Sequence, residues 1–219
     1  STDPSKNITQ ATIAYALREE LTLTAGKFYT HMGFEVTRAK DNWQYSRSYT
    51  FNYAIPFWHQ GLSAAYGIVP GKLKGALYVL NAWDGRTAQE TNKSTTVGVN
   101  LNTTPLDGFA ANYNYIGGTE TPDSRSRREA HEINAVYTIN PLLTIAADFV
   151  LGSQTRAVGD AKAKWSGMIF YVRAAFAEWY SLSPRYEVFD DSDQGFALAG
   201  LGAAGVKQKI NSLTVTNSF

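Results

Sequence analysis

The residues that could do chemistry are few. The chain has three histidines, His31, His59 and His131, and no cysteine. None of the histidines has a partner four residues on for a helical zinc site, and no Gly-x-Ser-x-Gly turn offers a nucleophile. A hydrolytic set would have to gather His31 with Asp41 or Ser46 across the fold, so the reading is that the protein is not an enzyme. Gly200, Gly202 and Gly205 match GxGxxG by letter, but no buried strand leads in and no helix leads out, so the pyrophosphate geometry is missing. Asp190, Asp191 and Asp193 ahead of Gly195 resemble a calcium loop, yet the alternate-ligand spacing fails at Ser192 and Gln194, and no Glu closes the loop. No metal and no cofactor is expected.

What remains is electrostatics. Lys27, Asp148, Arg173, Arg185 and Glu187 interrupt otherwise neutral segments and read as charges facing a wet interior, where an ion is far cheaper than in lipid. They would either select solutes or pair and tie neighbouring strands together. Residues 31–58 form a long connection carrying Glu35, Asp41, Trp43 and Arg47. Long loops of this kind are often functional. Folded inward, the connection would narrow a lumen, with Arg47 and Asp41 setting a field across it. As a rigid cap, it would pair Arg47 with Asp41 or Glu35 and pack Trp43 beneath. The run Ser124, Arg125, Ser126, Arg127, Arg128 would contact lipopolysaccharide phosphates or stay solvated.

The elements that must position these charges are strands. Leu143, Ile145, Ala147, Phe149 and Leu151 alternate with Thr144, Ala146, Asp148, Val150 and Gly152, the two-residue period of a strand with a different solvent on each face. Met168, Phe170, Val172 and Ala174 do the same against Gly167, Ile169, Tyr171 and Arg173. Thr95, Val97, Val99 and Leu101 alternate with Thr96, Gly98, Asn100 and Asn102. Phe109, Ala111, Tyr113 and Tyr115 alternate with Ala110, Asn112 and Asn114, so two neighbouring strands share an amide-rich face.

About eleven strands are expected, near 10–17, 21–30, 60–68, 72–82, 93–102, 108–117, 129–139, 143–152, 164–176, 178–189 and 207–217. Short connections near residues 18–20, 69–72, 104–108, 140–141 and 177–178 alternate with long ones at 31–60, 84–93, 118–128, 153–164 and 190–207. Short turns on one side and long loops on the other are how bacterial membrane barrels are built. No apolar run approaches the ~20 residues of a membrane helix. A net charge of +1 with scattered Lys and Arg offers no stripe for nucleic acid. Thirteen Tyr and five Trp suit aromatic girdles.

The expected fold is therefore all-β, an antiparallel up-and-down transmembrane β-barrel of eleven or twelve strands, with residues 1–219 a single domain. An odd count with short turns on the periplasmic side leads to the expectation of further strands upstream. Ser1 to Gln10 is polar, so any secretory signal is expected to lie upstream or to have been removed.

Residues 23–66 resemble the porin-2, OmpL-like family of outer-membrane β-barrels. The likeness rests on Gly26-Lys27-Phe28, Glu35, Asn42-Trp43, Ser46-Arg47-Ser48, and Pro56-Phe57 followed by His59 and Gly61. Leu80-Asn81-Ala82-Trp83-Asp84-Gly85 and the stretch from Arg185 to Asp191 extend it. The resemblance implies a Gram-negative outer-membrane channel for passive diffusion of small hydrophilic solutes. The alternative is a scaffold barrel with a plugged or partner-filled lumen. Its partners would be outer-membrane lipid, lipopolysaccharide and small solutes, and a homo-oligomer or a partner protein stays open.

Overall fold

The structure, a computed structural model, describes residues 8–84, 94–120, 125–199 and 205–219. Residues 200–204 of the Gly-rich stretch, residues 85–93 of the connection after Asp84, and Ser124 of the basic run lie outside these. Among the described residues eleven strands form one sheet in sequence order. They are β1 (Ala11–Arg18), β2 (Leu21–Tyr29), β3 (Trp58–Val69), β4 (Leu73–Leu80), β5 (Thr96–Leu106), β6 (Phe109–Thr119), β7 (Arg127–Asn140), β8 (Leu143–Val158), β9 (Ala161–Ala177), β10 (Tyr180–Asp191) and β11 (Gln208–Ser218). Each pairs antiparallel with the next, and β1 and β11 do not pair with each other among the described residues. No helix there is long and apolar enough to cross a membrane.

Register decides which face each residue serves. One cross-strand row runs Leu101, Tyr113, Ile133, Phe149, Met168. The adjacent row, one residue along, runs Asn102, Asn112, Asn134, Asp148, Ile169, Glu187. Ile133 is 57% exposed while its neighbour Glu132 is 1% exposed, and Phe149 is 41% exposed while Asp148 is 3%. A water-soluble sheet buries the first row and solvates the second. This inverted pattern places apolar side chains against hydrocarbon over a continuous outer surface much larger than soluble monomers expose.

The short connections sit at one end of the sheet, at Glu19-Glu20, Pro70-Gly71-Lys72, Asp107-Gly108, Pro141-Leu142 and Glu178-Trp179. A register irregularity accompanies each, near Ala16, Gly67, Thr103, Thr138 and Tyr180. Bulges of this kind bend and twist a strand, as a curving wall needs. Gly71 and Gly108 have φ of 70° and 74°, which a tight turn requires and a side chain resists.

The strand count agrees with expectation, but one long loop does not. β8 and β9 continue past residues 153–164 and meet in a tight turn at Gly159-Asp160, so this hairpin extends where an outer loop was expected. Gln154, Thr155 and Lys164 look loop-like because apolar alternation is demanded only where a strand touches lipid.

Candidate functional site

Residues 30–57 do not stand away from the sheet. The backbone N–H of Thr30 donates to the Phe57 carbonyl at 3.0 Å, closing the neck of the loop, and what lies between folds across the inner face. The segment is built around polar side chains that serve its own backbone. Asn42 accepts from the Val36 N–H at 2.9 Å and donates to the Val36 and Arg38 carbonyls. Ser48 Oγ accepts from the Phe51 N–H at 2.9 Å and donates to Glu35 at 3.0 Å, ahead of a single π-helical turn, Thr50–Ala54.

Inward-facing carboxylates of the wall hold this loop. Glu132 on β7 accepts from the Gly33 N–H at 2.7 Å, and Asp148 on β8 from the Phe34 N–H at 3.4 Å. Glu187 on β10 accepts from the Tyr49 N–H at 2.9 Å, the Thr50 N–H at 2.7 Å and the Thr50 hydroxyl at 2.8 Å. In return the loop inserts Glu35, 3% exposed, onto Arg185 of β10, 2% exposed, at 2.6 Å. Arg185 also donates to the Ser46 carbonyl at 2.8 Å. Because these anchors stand on different strands and reach one loop, the sheet curves around it.

Apolar packing completes the seat. Met32, Phe51, Ala54 and Ile55 of the loop are buried with Phe28, Leu80, Trp83, Ile116, Val150, Trp165 and Phe189. Burial of side chains the size of Met32, Phe51 and Ile55 contributes about 1.5–3 kcal/mol each. Phe34 and Trp43 pack on Tyr171, with ring centroids 4.7 and 6.3 Å away. The wall makes room where it must: Gly167 lies so close beneath Thr50 that a Cβ there would collide with its hydroxyl, and Gly152 does the same under Trp165. Trp165 Nε1 donates to the Ala54 carbonyl at 3.3 Å.

Glu132 is itself fixed from the side by an amide ladder. Asn100 donates to Asn114 at 2.6 Å and Asn114 to Glu132 at 3.2 Å, while Asn102 donates to Asn112, Asn112 to Asn134, and Asn134 to Glu132 at 2.6 Å. The shared amide face of β5 and β6 read from the sequence thus becomes the support of an anchor that the sequence reading had not singled out.

The charged residues singled out in the sequence divide accordingly. Asp148, Arg173, Arg185 and Glu187 face inward. Asp148, Arg185 and Glu187 are buried under the loop. Lys27 is a correction: it lies opposite Ala11 and Gln60, on the face of Leu23 and Leu62, so it points outward, with its ammonium 5.3 Å from the Trp58 ring. Its position has the parity of Leu23, and a charge near a strand end escapes the hydrocarbon. Arg47 pairs with neither Asp41 nor Glu35. It donates to the Thr37 carbonyl at 3.1 Å and lies 5.3 Å from the Phe51 ring. Asp41 is exposed, 2.8 Å from Lys40 and 3.4 Å from Arg38, and the Lys40 ammonium, with Arg38 behind it, holds its carboxyl below the usual range.

The hydrolytic set is not assembled. His31 donates from Nε2 to the Tyr115 carbonyl at 2.9 Å and stacks on Tyr78 at 4.3 Å. Burial pushes its pKa down to about 4, so it is neutral at pH 7. Asp191, the center of the calcium-like stretch, accepts from the Phe196 and Leu198 N–H groups at 3.1 and 2.8 Å and so secures the segment after β10. Residues sequence reasoning passed over are Glu132 and Lys74. Their signal was there in parity, since Glu132 alternates with Ile133 and Lys74 with Leu73 and Gly75.

Solved outer-membrane proteins share this architecture. The chain is similar to OmpT of Vibrio cholerae, with a TM-score of 0.54 and 12% identity over 95% of this chain and 88% of that one. It is similar to Salmonella typhi OmpF, solved in complex with daunomycin, with a TM-score of 0.64 and 18% identity over 96% of this chain and 66% of that one. The outer membrane channel DcaP of Acinetobacter baumannii matches with a TM-score of 0.53 and 13% identity over 94% of this chain and 60% of that one. These likenesses concern the fold. No curated protein matches the chain. The sequence model of the beta-barrel porin-2, OmpL-like family matches residues 1–219, the whole chain. With its inverted sheet and the family match together, the chain belongs to the beta-barrel porin-2, OmpL-like family of the bacterial outer membrane.

Proposed function

We propose that the protein is a passive channel for small hydrophilic solutes, narrowed from within by residues 30–57 and operating by sieving, with no chemical step. The observation that supports this most is the seating of the loop on Glu132, Asp148 and Glu187, which fixes a constriction part-way along a polar inner wall. Outside, lipid meets the apolar rows and lipopolysaccharide the charged rim. Further strands satisfy the edges of β1 and β11, because each unpaired backbone group in hydrocarbon costs several kcal/mol. The second reading, a scaffold barrel with a closed lumen, draws on the apolar cluster around Phe51, Trp83 and Trp165, which fills part of the interior.

Planar-bilayer recording of the detergent-purified, full-length protein separates the two. A channel gives stable ohmic steps. Silence from protein that heat-modifiable migration shows to be folded would leave the scaffold.

A further inference from the structure

We propose that the channel prefers anions and that Lys74 and Arg173 set that sign. Granting the channel reading above, on which this rests, the sign follows from which inner-wall charges remain available once the loops have docked. The inward carboxylates are spent. Glu132, Asp148 and Glu187 are between 0 and 3% exposed and take loop N–H donors, as does Asp191, 0% exposed, from Phe196 and Leu198. A permeating cation meets none of them directly.

The inward cations fare differently. Arg185 is matched by Glu35, and Arg128, held by Gln154 and lying over the Trp83 and Phe196 rings, is faced by the carboxylates of Glu120 and Asp84, which balance it. Lys74, opposite Asn102, and Arg173, opposite Thr144, are exposed on the inner face toward the short-turn end. Neither has an acidic partner among the described residues. The loop adds to the imbalance, since Arg38 and Lys40 share the single carboxylate of Asp41, and Arg47 is held by a carbonyl and a ring. At the short-turn rim Arg18 and Lys72 stand among Glu19, Glu20, Asp107 and Glu178, but these occupy the ends of strands and the turns, outside the inner wall. An open path walled by amides and hydroxyls, with unpaired cations as its fixed charges, concentrates anions.

The test is the reversal potential of the full-length protein in a KCl gradient at about 0.1 M or below, where the screening length is ~10 Å. Wild-type protein should give a chloride-to-potassium permeability ratio above 1. Lys74→Gln and Arg173→Gln, polar replacements at exposed positions, should each lower it nearly twofold, the opposite effects on the two ions of one charge near 10 Å in water reduced by a screening length of ~10 Å, and together about threefold. A wild-type ratio below 1, or a double variant with an unchanged ratio, overturns the assignment while leaving the channel intact. Absence of conductance from folded protein overturns the channel reading itself.

Discussion

Glu187→Ala is expected to unlatch residues 30–57 from the inner face of the sheet. The carboxylate receives two backbone donors and one hydroxyl from Tyr49 and Thr50 in a site closed to water. Hydrogen bonds to a charged group contribute about 1.5–3 kcal/mol each, so losing even two of them weakens docking by ~3 kcal/mol, roughly a hundredfold shift toward the released loop. Two readouts should move together. Unit conductance should rise, and trypsin should cleave at Arg47, which the seated loop holds on the Thr37 carbonyl and beside the Phe51 ring. Glu187→Gln, which keeps size and one acceptor, should show a smaller change in the same direction. A Glu187→Ala protein with native conductance and a protected loop would mean that the carboxylate is not an anchor.

The second large effect is expected at Arg185. Loop and wall exchange charges here, with Glu35 and Arg185 3% and 2% exposed and 2.6 Å apart. Removing one partner strands the other in a dry site, at a cost of about 3–5 kcal/mol, whereas replacing both by neutral groups of similar volume is often close to neutral. Arg185→Met should therefore lower the urea midpoint of the folded band in detergent strongly, and Glu35→Gln added to it should restore much of the loss. The double-mutant cycle is the decisive quantity. Additive losses would show that the two residues act independently and that the pair is not what couples loop to wall.

These residues also mark how far the sequence could be read. Strand faces were legible because a wall between lipid and water imposes a strict two-residue period, and Asp148, Arg173, Arg185 and Glu187 were placed on the inner side from it. Lys27 shows the weakness of reading charge alone: its parity with Leu23 put it outside, and the end of a strand, beside Trp58, tolerates that. The hairpin end of β8 and β9 was hidden for a related reason, since beyond the lipid the period relaxes and a strand reads as a loop.

What the sequence could not supply was the fate of the inward charges. Gly33 meets Glu132 across 99 positions and Glu35 meets Arg185 across 150. No local pattern encodes such pairings, and whether a carboxylate lines a pore or anchors a loop is decided by what folds onto it. Of the two open readings of residues 31–58, the inward fold of the first is seen, as is the packing of Trp43 in the second, on Tyr171, while Arg47 pairs with neither acid considered.

The most direct test of a loop seated inside the wall is a disulfide between Thr50→Cys and Gly167→Cys. Residues 1–219 contain no cysteine, so within them the engineered pair supplies the only thiols. A Cβ at Gly167 would lie 2.9 Å from the Thr50 Cβ, so the loop and β9 must part by only about 1 Å to reach the 3.5–4.5 Å Cβ separation typical of a disulfide, while Thr50→Cys removes the methyl and hydroxyl that collide there. In folded full-length protein in lipid, mild oxidation should remove both thiols from maleimide labelling and yield one cross-linked peptide, with unit conductance close to that of the wild type. Two thiols that stay free and reactive after oxidation would place the loop away from β9 and contradict a constriction built from it.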